Sequence, residues 1–456
     1  MRTKNLKISF FLFSVLFVSG IFSIGYLVER TNHFLLFLSF GIAFTIYLFG
    51  VLKYFKIIPF KWLLWVVLIT RFALLFQTPN LSDDYFRFVW DGQLTVNNIN
   101  PFEFTPNELQ EKISIDSIGL NQEIYSGLNS KTYKSCYPPI HQAVFWGVAK
   151  ISSNNIKANI IALRIIIILF DLGLLFLLVY FLSLLKIPVN TVFVYALNPL
   201  VVIELSGNLH FEGIMLFFVY LSLILLYQKK WFWSSLALGL AISTKLIPLI
   251  FLPFVFFYLG FKKGFMYGIV TILTVFITFI PFINIQMMEG FASSIDLYFQ
   301  KFEFNASIYY LVRTVGYWVK GYNIIQTAGW VLSLITLIII IYLAIKQKQN
   351  DLKLLLFNML MAISIYYLFS TTVHPWYIIN ILIFGTLTQL KYPVYWTGLV
   401  FLSYWAYKET GVEESMWVLF LEYLCLGYFI FKTLKNKLIL KDFYIKFLAP
   451  NRGKIP

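Results

Sequence analysis

Long apolar runs, separated by short polar stretches, repeat along most of the chain. A helix needs roughly 20 apolar residues to cross a hydrocarbon core of about 30 Å, and runs near that length recur to about residue 433. The pattern predicts an all-α, polytopic transmembrane helix bundle of about 12–14 spans. The candidate spans are 8–28, 33–52, 60–77, 158–185, 190–206, 210–228, 231–245, 247–261, 265–286, 323–345, 353–371, 376–390, 393–407 and 416–433.

Composition and charge agree with a membrane protein. Of 456 residues, 59% are hydrophobic and 12% charged, and the net charge is +15. The lysines gather in short loops and beside the apolar runs, which is a topology signal and implies no nucleic-acid partner. The positive-inside rule predicts a cytoplasmic N-terminus and a cytoplasmic basic tail at 434–456.

The longest polar stretch, 78–137, follows the third predicted span. It is therefore predicted to be an extracytoplasmic loop of short interfacial helices. Residues 140–151 are too short to span and are predicted to be re-entrant or interfacial, and a similar half-span is predicted near 305–320. No internal repeat or low-complexity tract marks a soluble unit, so 1–456 is predicted to be one membrane domain.

This loop begins with an acidic cluster. Asp83 and Asp84 form a carboxylate pair, and Arg87 and Asp91 follow at helical spacing, so the four could line one helix face. Paired acids suit general-base catalysis or a divalent metal. The alternative is a solvated loop in which these acids cap a helix and interact with its dipole.

Three further polar positions are predicted on the same side of the membrane. His210 and Glu212, in GNLHFEG, could hold a sugar hydroxyl or a phosphate, or be ordinary interfacial residues. Lys245 lies in an apolar run, where it needs a charged partner, a wet cavity or a route to the interface. His374 precedes Tyr377 at a helix start and could donate to an anion, or be structural.

Arg164 and Asp171 lie seven residues apart within one predicted span. That spacing places them on one helix face. They are predicted to be structural, each paired with neighbours on other helices.

A family resemblance rests on several segments taken together. The chain resembles the GT-C superfamily of membrane glycosyltransferases, and most closely bacterial mannosyltransferase-like proteins that use a polyprenyl-phosphate sugar donor, over roughly 78–380. The segments are LSDDYFRFVWDG and NINPFEFTP in the acidic loop, YPPIHQ at 137–142, NPLVVIELSGNLHFEG at 198–213, LAISTKLIPL at 240–249, and HPWY at 374–377.

The resemblance implies inverting transfer of a hexose, expected to be mannose, to a glycan or lipid acceptor in the bacterial inner membrane. The base would be Asp83 or Asp84, with a slight preference for Asp84. The groups binding the donor phosphate or the substrate would come from Arg87, Asp91, His210, Glu212, Lys245, His374 and Tyr377. Some members bind a divalent metal and others do not, so no cofactor is assigned and the metal is left open.

The main alternative is a transporter or flippase for lipid-linked sugars. Such a protein also needs many spans and intramembrane charges. The sequence lacks paired halves and matched broken helices, and its acids lie in an interfacial loop, all of which favours the enzyme.

Overall fold

Helices make up almost all of the regular structure. The computed structural model describes residues 2–290 and 302–447, with side chains from 7 to 290 and from 302 to 435. The first half contains α1 (Arg2–Tyr26), α2 (His33–Phe49), α3 (Phe60–Ala73), α4 (Asp84–Val96), α5 (Pro106–Lys112), α6 (Gln122–Gly127), α7 (Pro139–Ser152), α8 (Ile156–Leu184), α9 (Phe193–Ala196), α10 (Pro199–Val201) and α11 (Glu212–Tyr227).

The second half continues the bundle. It contains α12 (Trp231–Thr244), α13 (Leu252–Leu259), α14 (Phe261–Phe279), α15 (Ile308–Lys320), α16 (Ile325–Ile345), α17 (Leu352–Phe369), α18 (Ile378–Thr388), α19 (Tyr392–Leu399) and α20 (Met416–Phe447). The described strands, β1 (Tyr407–Lys408) and β2 (Gly411–Val412), form one small antiparallel hairpin. Of the predicted tail at 434–456, residues 448–456 lie outside the described part of the chain.

The all-α polytopic class is confirmed, but long spanning helices are fewer than predicted. Among the described residues, seven helices are long and apolar enough to cross a membrane, or eight if one bent pair counts as a span. The seven are Lys7–Tyr26, His33–Tyr54, Ile156–Leu184, Phe261–Phe282, Ile325–Ile345, Leu352–Phe369 and Met416–Lys435. Four other apolar segments, Glu212–Tyr227, Trp231–Thr244, Ile247–Leu259 and Pro375–Thr388, form helices of 10–17 residues.

Proline explains why one of the predicted spans is broken. The run at 190–206 divides at Pro199 into Val189–Ala196 and Pro199–Gly207, which meet at a bend of 58°. Proline lacks an N–H and disfavours helical geometry in the residue before it. Asn198 caps the new start by accepting a hydrogen bond from Leu200 N at 3.0 Å. The helix then ends in a π-helical turn over Val202–Gly207.

The predicted loop at 78–137 does form short helices, and the first of them, α4, packs tightly against α7. Phe88 of α4 stacks on Phe145 of α7, with ring centroids 4.8 Å apart. A Cβ added to Gly92 would lie 2.7 Å from the Phe145 carbonyl oxygen, so only glycine allows this approach. The segments predicted as half-spans form α7 and α15. The close contact with α7 fixes the position of the acids at the start of α4.

Candidate active site

Polar residues from four separate segments converge at one end of the bundle. Asp84 is the first residue of α4, and Glu212 is the first residue of α11. Lys245 follows α12 in an extended conformation, and its amino group lies 5.6 Å from the centroid of the Tyr377 ring. Lys245 pairs with Glu212 and also acts electrostatically on Asp84. The structure therefore brings together residues of segments that the sequence predicts to lie on the same side of the membrane.

The two neighbouring acids have different partners. Asp83 forms an ion pair with Arg30, with 2.7 Å between Oδ2 and Nη1, and both side chains are about one-third exposed. Asp84 Oδ1 instead accepts a hydrogen bond from Asn129 Nδ2 at 3.1 Å. Burial raises the pKa of Asp84, although the Asn129 hydrogen bond and the charge of Lys245 act to lower it. Asp84 is the acid of the pair that belongs to the convergent cluster.

The partner of Lys245 is a buried acid from another helix. The Glu212 side chain is fully buried, whereas the Lys245 side chain keeps 18% of its surface exposed. Glu212 Oε2 has no hydrogen-bond partner in the described structure. Glu212 is therefore the charged partner that Lys245 needs within its apolar run. The pair also leaves a partly accessible cation within electrostatic range of Asp84.

An aromatic stack forms another wall of the cluster. Trp376 lies between two histidines, with its ring centroid 3.7 Å from that of His210 and 4.4 Å from that of His374. Burial, reinforced by Lys245, lowers the pKa of His374 to about 3, so the ring is neutral at neutral pH. His210 Nε2 and His374 Nδ1 are buried without a hydrogen bond.

Unpartnered polar atoms this deep in a protein normally indicate a missing partner. Each costs about 1–3 kcal/mol relative to a satisfied group. Glu212 and His374 each contribute one such atom, and both residues lie within electrostatic reach of Lys245. This arrangement is suited to binding a polar ligand with several oxygen atoms.

Comparison with known families assigns the class of reaction. A model of the alpha-(1→6)-mannopyranosyltransferase family, N-terminal domain, matches residues 18–260, more than half of the chain. The chain belongs to this mannosyltransferase family. Its activity is accordingly that of a glycosyltransferase that moves mannosyl groups. A search of curated proteins gave no match.

The mannosyltransferase match covers most of the convergent cluster. Asp84, Glu212 and Lys245 lie within the matched residues, whereas His374 and Tyr377 lie beyond residue 260. The second half of this mannosyltransferase thus supplies one wall of the same cluster. The family match and the contacts of the cluster are independent observations that concern the same part of the molecule.

Two residues of the predicted site in the mannosyltransferase lie in a separate network. Arg87 Nε donates to Asp91 Oδ1 at 2.7 Å, and Arg87 Nη1 donates to the Tyr133 carbonyl oxygen at 2.9 Å. Asp91 Oδ2 accepts from Ser135 Oγ at 2.5 Å and from Gln142 Nε2 at 3.0 Å. Both charged side chains are buried. The structure therefore does not bring Arg87 and Asp91 into the cluster around Lys245.

Sequence reasoning missed Arg30, Asn129 and Glu204. Glu204 is a fully buried carboxylate in the π-helical turn before the cluster. An acid inside an apolar run is unusual enough to have marked it. Arg30 and Asn129 are brought to Asp83 and Asp84 from distant loops, and nothing in the local sequence signals their contacts.

The predicted pairing of Arg164 and Asp171 with neighbours on other segments is confirmed. Arg164 donates to the carbonyl oxygens of Ser206 at 2.5 Å and Gly207 at 3.0 Å, which satisfies the end of the π-helical turn. Asp171 pairs with Arg71, with 2.9 Å between Oδ2 and Nε. Both residues therefore hold α8 against its neighbours.

A metal site was left open by the sequence. Among the side chains described, at 7–290 and 302–435, no three of His, Cys, Asp or Glu are grouped in a way that could hold a metal ion. The acids named above have protein partners or lie beside Lys245.

Proposed function

We propose that this chain is a GT-C-type enzyme that transfers mannose from a polyprenyl-phosphate donor to a glycan or lipid acceptor, with inversion. The convergence of Asp84, the Glu212–Lys245 pair and the histidine–tryptophan stack carries the proposal. It joins an acid, a cation and unpartnered polar atoms in one place. A donor with a lipid tail would reach this site from the surrounding membrane. The family's description makes an α-(1→6) linkage the one to test first.

Asp84 is the proposed base. Its carboxylate would take the proton of an acceptor hydroxyl while that oxygen forms a bond to the anomeric carbon of mannose. The elevated pKa that burial gives Asp84 makes it a stronger base than an exposed aspartate. Asp83 is less suited to this role because it is paired with Arg30. We assign Asp83 to holding the loop after α1 against the start of α4.

The leaving group is a phosphate that keeps the electron pair of the broken bond to the anomeric carbon. Lys245 would stabilise this developing charge, because a fixed cation in a site shielded from water acts strongly. Neutral His374 and His210 would donate hydrogen bonds to the phosphate or the sugar. Tyr377, whose ring faces Lys245, would line the same pocket. Glu212 would orient Lys245 between the two substrates.

Arg87 and Asp91 are not part of this proposal. Both oxygens of Asp91 are already bonded to the protein, and only Nη2 of Arg87 lacks a partner. We assign the pair to fixing residues 130–142 against α4. That segment includes Tyr137 and His141, which lie next to the cluster.

The proposed site faces the extracytoplasmic side of a bacterial inner membrane. The distribution of basic residues supports this orientation. Single cysteines at positions 95 and 230, in a background with Cys136 and Cys425 replaced, are expected to react with an impermeant reagent from opposite sides. Labelling of both from one side would contradict the proposed topology.

The transfer itself is tested with purified donor. Membranes containing the protein are given polyprenyl-phosphate mannose labelled in the sugar, and products are separated by linkage analysis. A mannosylated product that depends on this donor, and does not form from a nucleotide-sugar donor alone, is the expected result. A transporter of lipid-linked sugars, the alternative considered from the sequence, would move the label across the membrane without forming a new glycosidic bond.

Treatment with a chelator in the same assay measures metal dependence. Residual activity after chelation would assign the stabilisation of phosphate to the protein's own cation. Loss of activity that Mg²⁺ or Mn²⁺ restores would add a metal to the donor site.

A further inference from the structure

Glu204 is a fully buried acid near the proposed site, and the mechanism above assigns it no role. It lies in the π-helical turn Val202–Gly207, and its side chain has no exposed surface. Burying a carboxylate in a membrane bundle is unfavourable unless the carboxylate is well satisfied. π-Helical turns also interrupt regular helix geometry and often accompany functional sites.

The carboxylate of Glu204 connects three segments of the chain. Its Oε1 accepts a hydrogen bond from Tyr404 OH at 2.6 Å, and its Oε2 accepts one from Asn208 Nδ2 at 3.1 Å. The amide oxygen of Asn208 in turn accepts from Leu81 N at 3.3 Å. Leu81 lies only three residues before Asp84. A continuous chain of hydrogen bonds therefore runs from Tyr404 through Glu204 to the loop that carries the proposed base.

Glu204 also positions His210. The backbone N–H of His210 donates a hydrogen bond to the backbone carbonyl oxygen of Glu204 at 3.1 Å. The two side chains also lie close together, with 3.4 Å between His210 Nε2 and Glu204 Oε2. Between them, Leu209 has a φ of 65°, in the left-handed region that non-glycine residues rarely adopt. Such strain persists only where surrounding contacts enforce it. The Glu204 side chain therefore influences which ring nitrogen of His210 carries the hydrogen.

We propose that Glu204 is a positioning residue for mannosyl transfer, which orients His210 and fixes the loop before Asp84 through Asn208. This inference rests on the proposed function of the cluster. Glu204 itself does not touch the substrates. Its role is to hold two groups on different segments in one geometry, and misplacement by about 1 Å lowers rates by as much as about a hundredfold.

The test uses the small number of histidines. The chain has four, so histidine labelled with ¹⁵N in the ring gives few signals in solid-state NMR, and His210→Gln identifies the signal of His210. In Glu204→Gln an amide replaces the carboxyl group, so the balance between the two tautomers of His210 is expected to change. Tyr404→Phe keeps the carboxyl group of Glu204 and removes one of its hydrogen bonds, so a smaller shift is expected. This variant provides the test if Glu204→Gln does not fold.

Glu422→Gln is the matched control. Glu422 is also fully buried, and it accepts a hydrogen bond from Asn305 Nδ2 at 3.2 Å, whereas Glu204 is bonded to Tyr404 and Asn208. It is expected to leave the His210 signal unchanged. An unchanged His210 signal in both Glu204→Gln and Tyr404→Phe would overturn the proposal, and so would an equal shift in the control.

Kinetics provide the second readout. Glu204→Gln is expected to lower kcat about tenfold to a hundredfold while the donor KM changes little. A large rise in KM with kcat unchanged would assign Glu204 to donor binding and contradict a positioning role. If the wild-type protein transfers no mannose, the proposed function fails, whereas the NMR comparison still decides whether Glu204 orients His210.

Discussion

Asp84 and Asp91 occupy the same short helix, α4, but their surroundings differ. Both oxygens of Asp91 are bonded to Arg87, Ser135 and Gln142 within a buried network. Asp84 lies two turns earlier, within electrostatic range of Lys245, and groups near Lys245 retain unpartnered polar atoms. A charge whose bonds are completed by protein holds the fold together, whereas a charge beside incomplete bonds is available to a ligand. The acids of one sequence motif are therefore assigned two different roles, structural for Asp91 and ligand-facing for Asp84.

Removal of Lys245 has the largest expected effect outside the base itself. Lys245→Met takes away the proposed phosphate cation, and transfer is expected to fall by about a hundredfold or more. The variant also leaves Glu212 buried without its partner, which costs about 3–5 kcal/mol of stability. Radiolabelled transfer and thermal unfolding of the solubilised protein measure the two effects.

The double variant Lys245→Met with Glu212→Gln separates these effects. It removes both charges, so stability is expected to recover while transfer stays low. Recovery of transfer together with stability would show that the pair is structural, like Arg87 and Asp91.

Disruption of the Arg87–Asp91 pair is expected to act on stability. Asp91→Asn leaves Arg87 buried and unpaired, so the free energy of unfolding is expected to fall by about 3–5 kcal/mol. Transfer per folded molecule at low temperature is expected to stay within a few-fold of wild type. A loss of specific activity without a loss of stability would place Asp91 in the active site and remove the contrast with Asp84.

The dependence of transfer on pH gives a smaller, directional effect. The base must be deprotonated, so activity is expected to fall as the pH drops through the pKa of Asp84, which burial places above the ordinary value. The Asn129 hydrogen bond lowers that pKa. In Asn129→Ala the pKa therefore rises, and the acidic limb of the kcat profile is expected to move to higher pH. A shift to lower pH, or none, would argue against Asp84 as the titrating base.

Much of the fold was accessible from hydrophobic patterning, because each span must satisfy its own backbone in lipid. The length of individual helices was less accessible. A single proline, Pro199, divides one predicted span, and apolar runs such as Ile247–Leu259 form helices too short to pass the length criterion for spanning. Hydropathy records apolar composition, and it does not record where a helix bends or ends within the protein.

The sequence identified most residues of the site, but it did not predict which of them contact each other. The sequence marked Glu212 and Lys245 separately, but their pairing depends on the start of α11 lying next to the end of α12. Asp83 and Asp84 are adjacent and chemically identical, and Arg30, from a distant loop, distinguishes them. The spacing of Arg87 and Asp91 correctly placed them on one face. It could not show that Ser135 and Gln142 would complete the bonds of Asp91.

The most direct test compares three substitutions of the same kind on one loop and helix. Asp83→Asn, Asp84→Asn and Asp91→Asn are expressed at matched levels, and transfer from labelled polyprenyl-phosphate mannose is measured for each folded protein. Loss of a general base lowers rates by about 10²–10⁴. The account predicts a loss of that size only in Asp84→Asn, with at most a few-fold change in the others. Full activity in Asp84→Asn would contradict it, and a comparable loss in Asp83→Asn alone would move the base to the neighbouring residue.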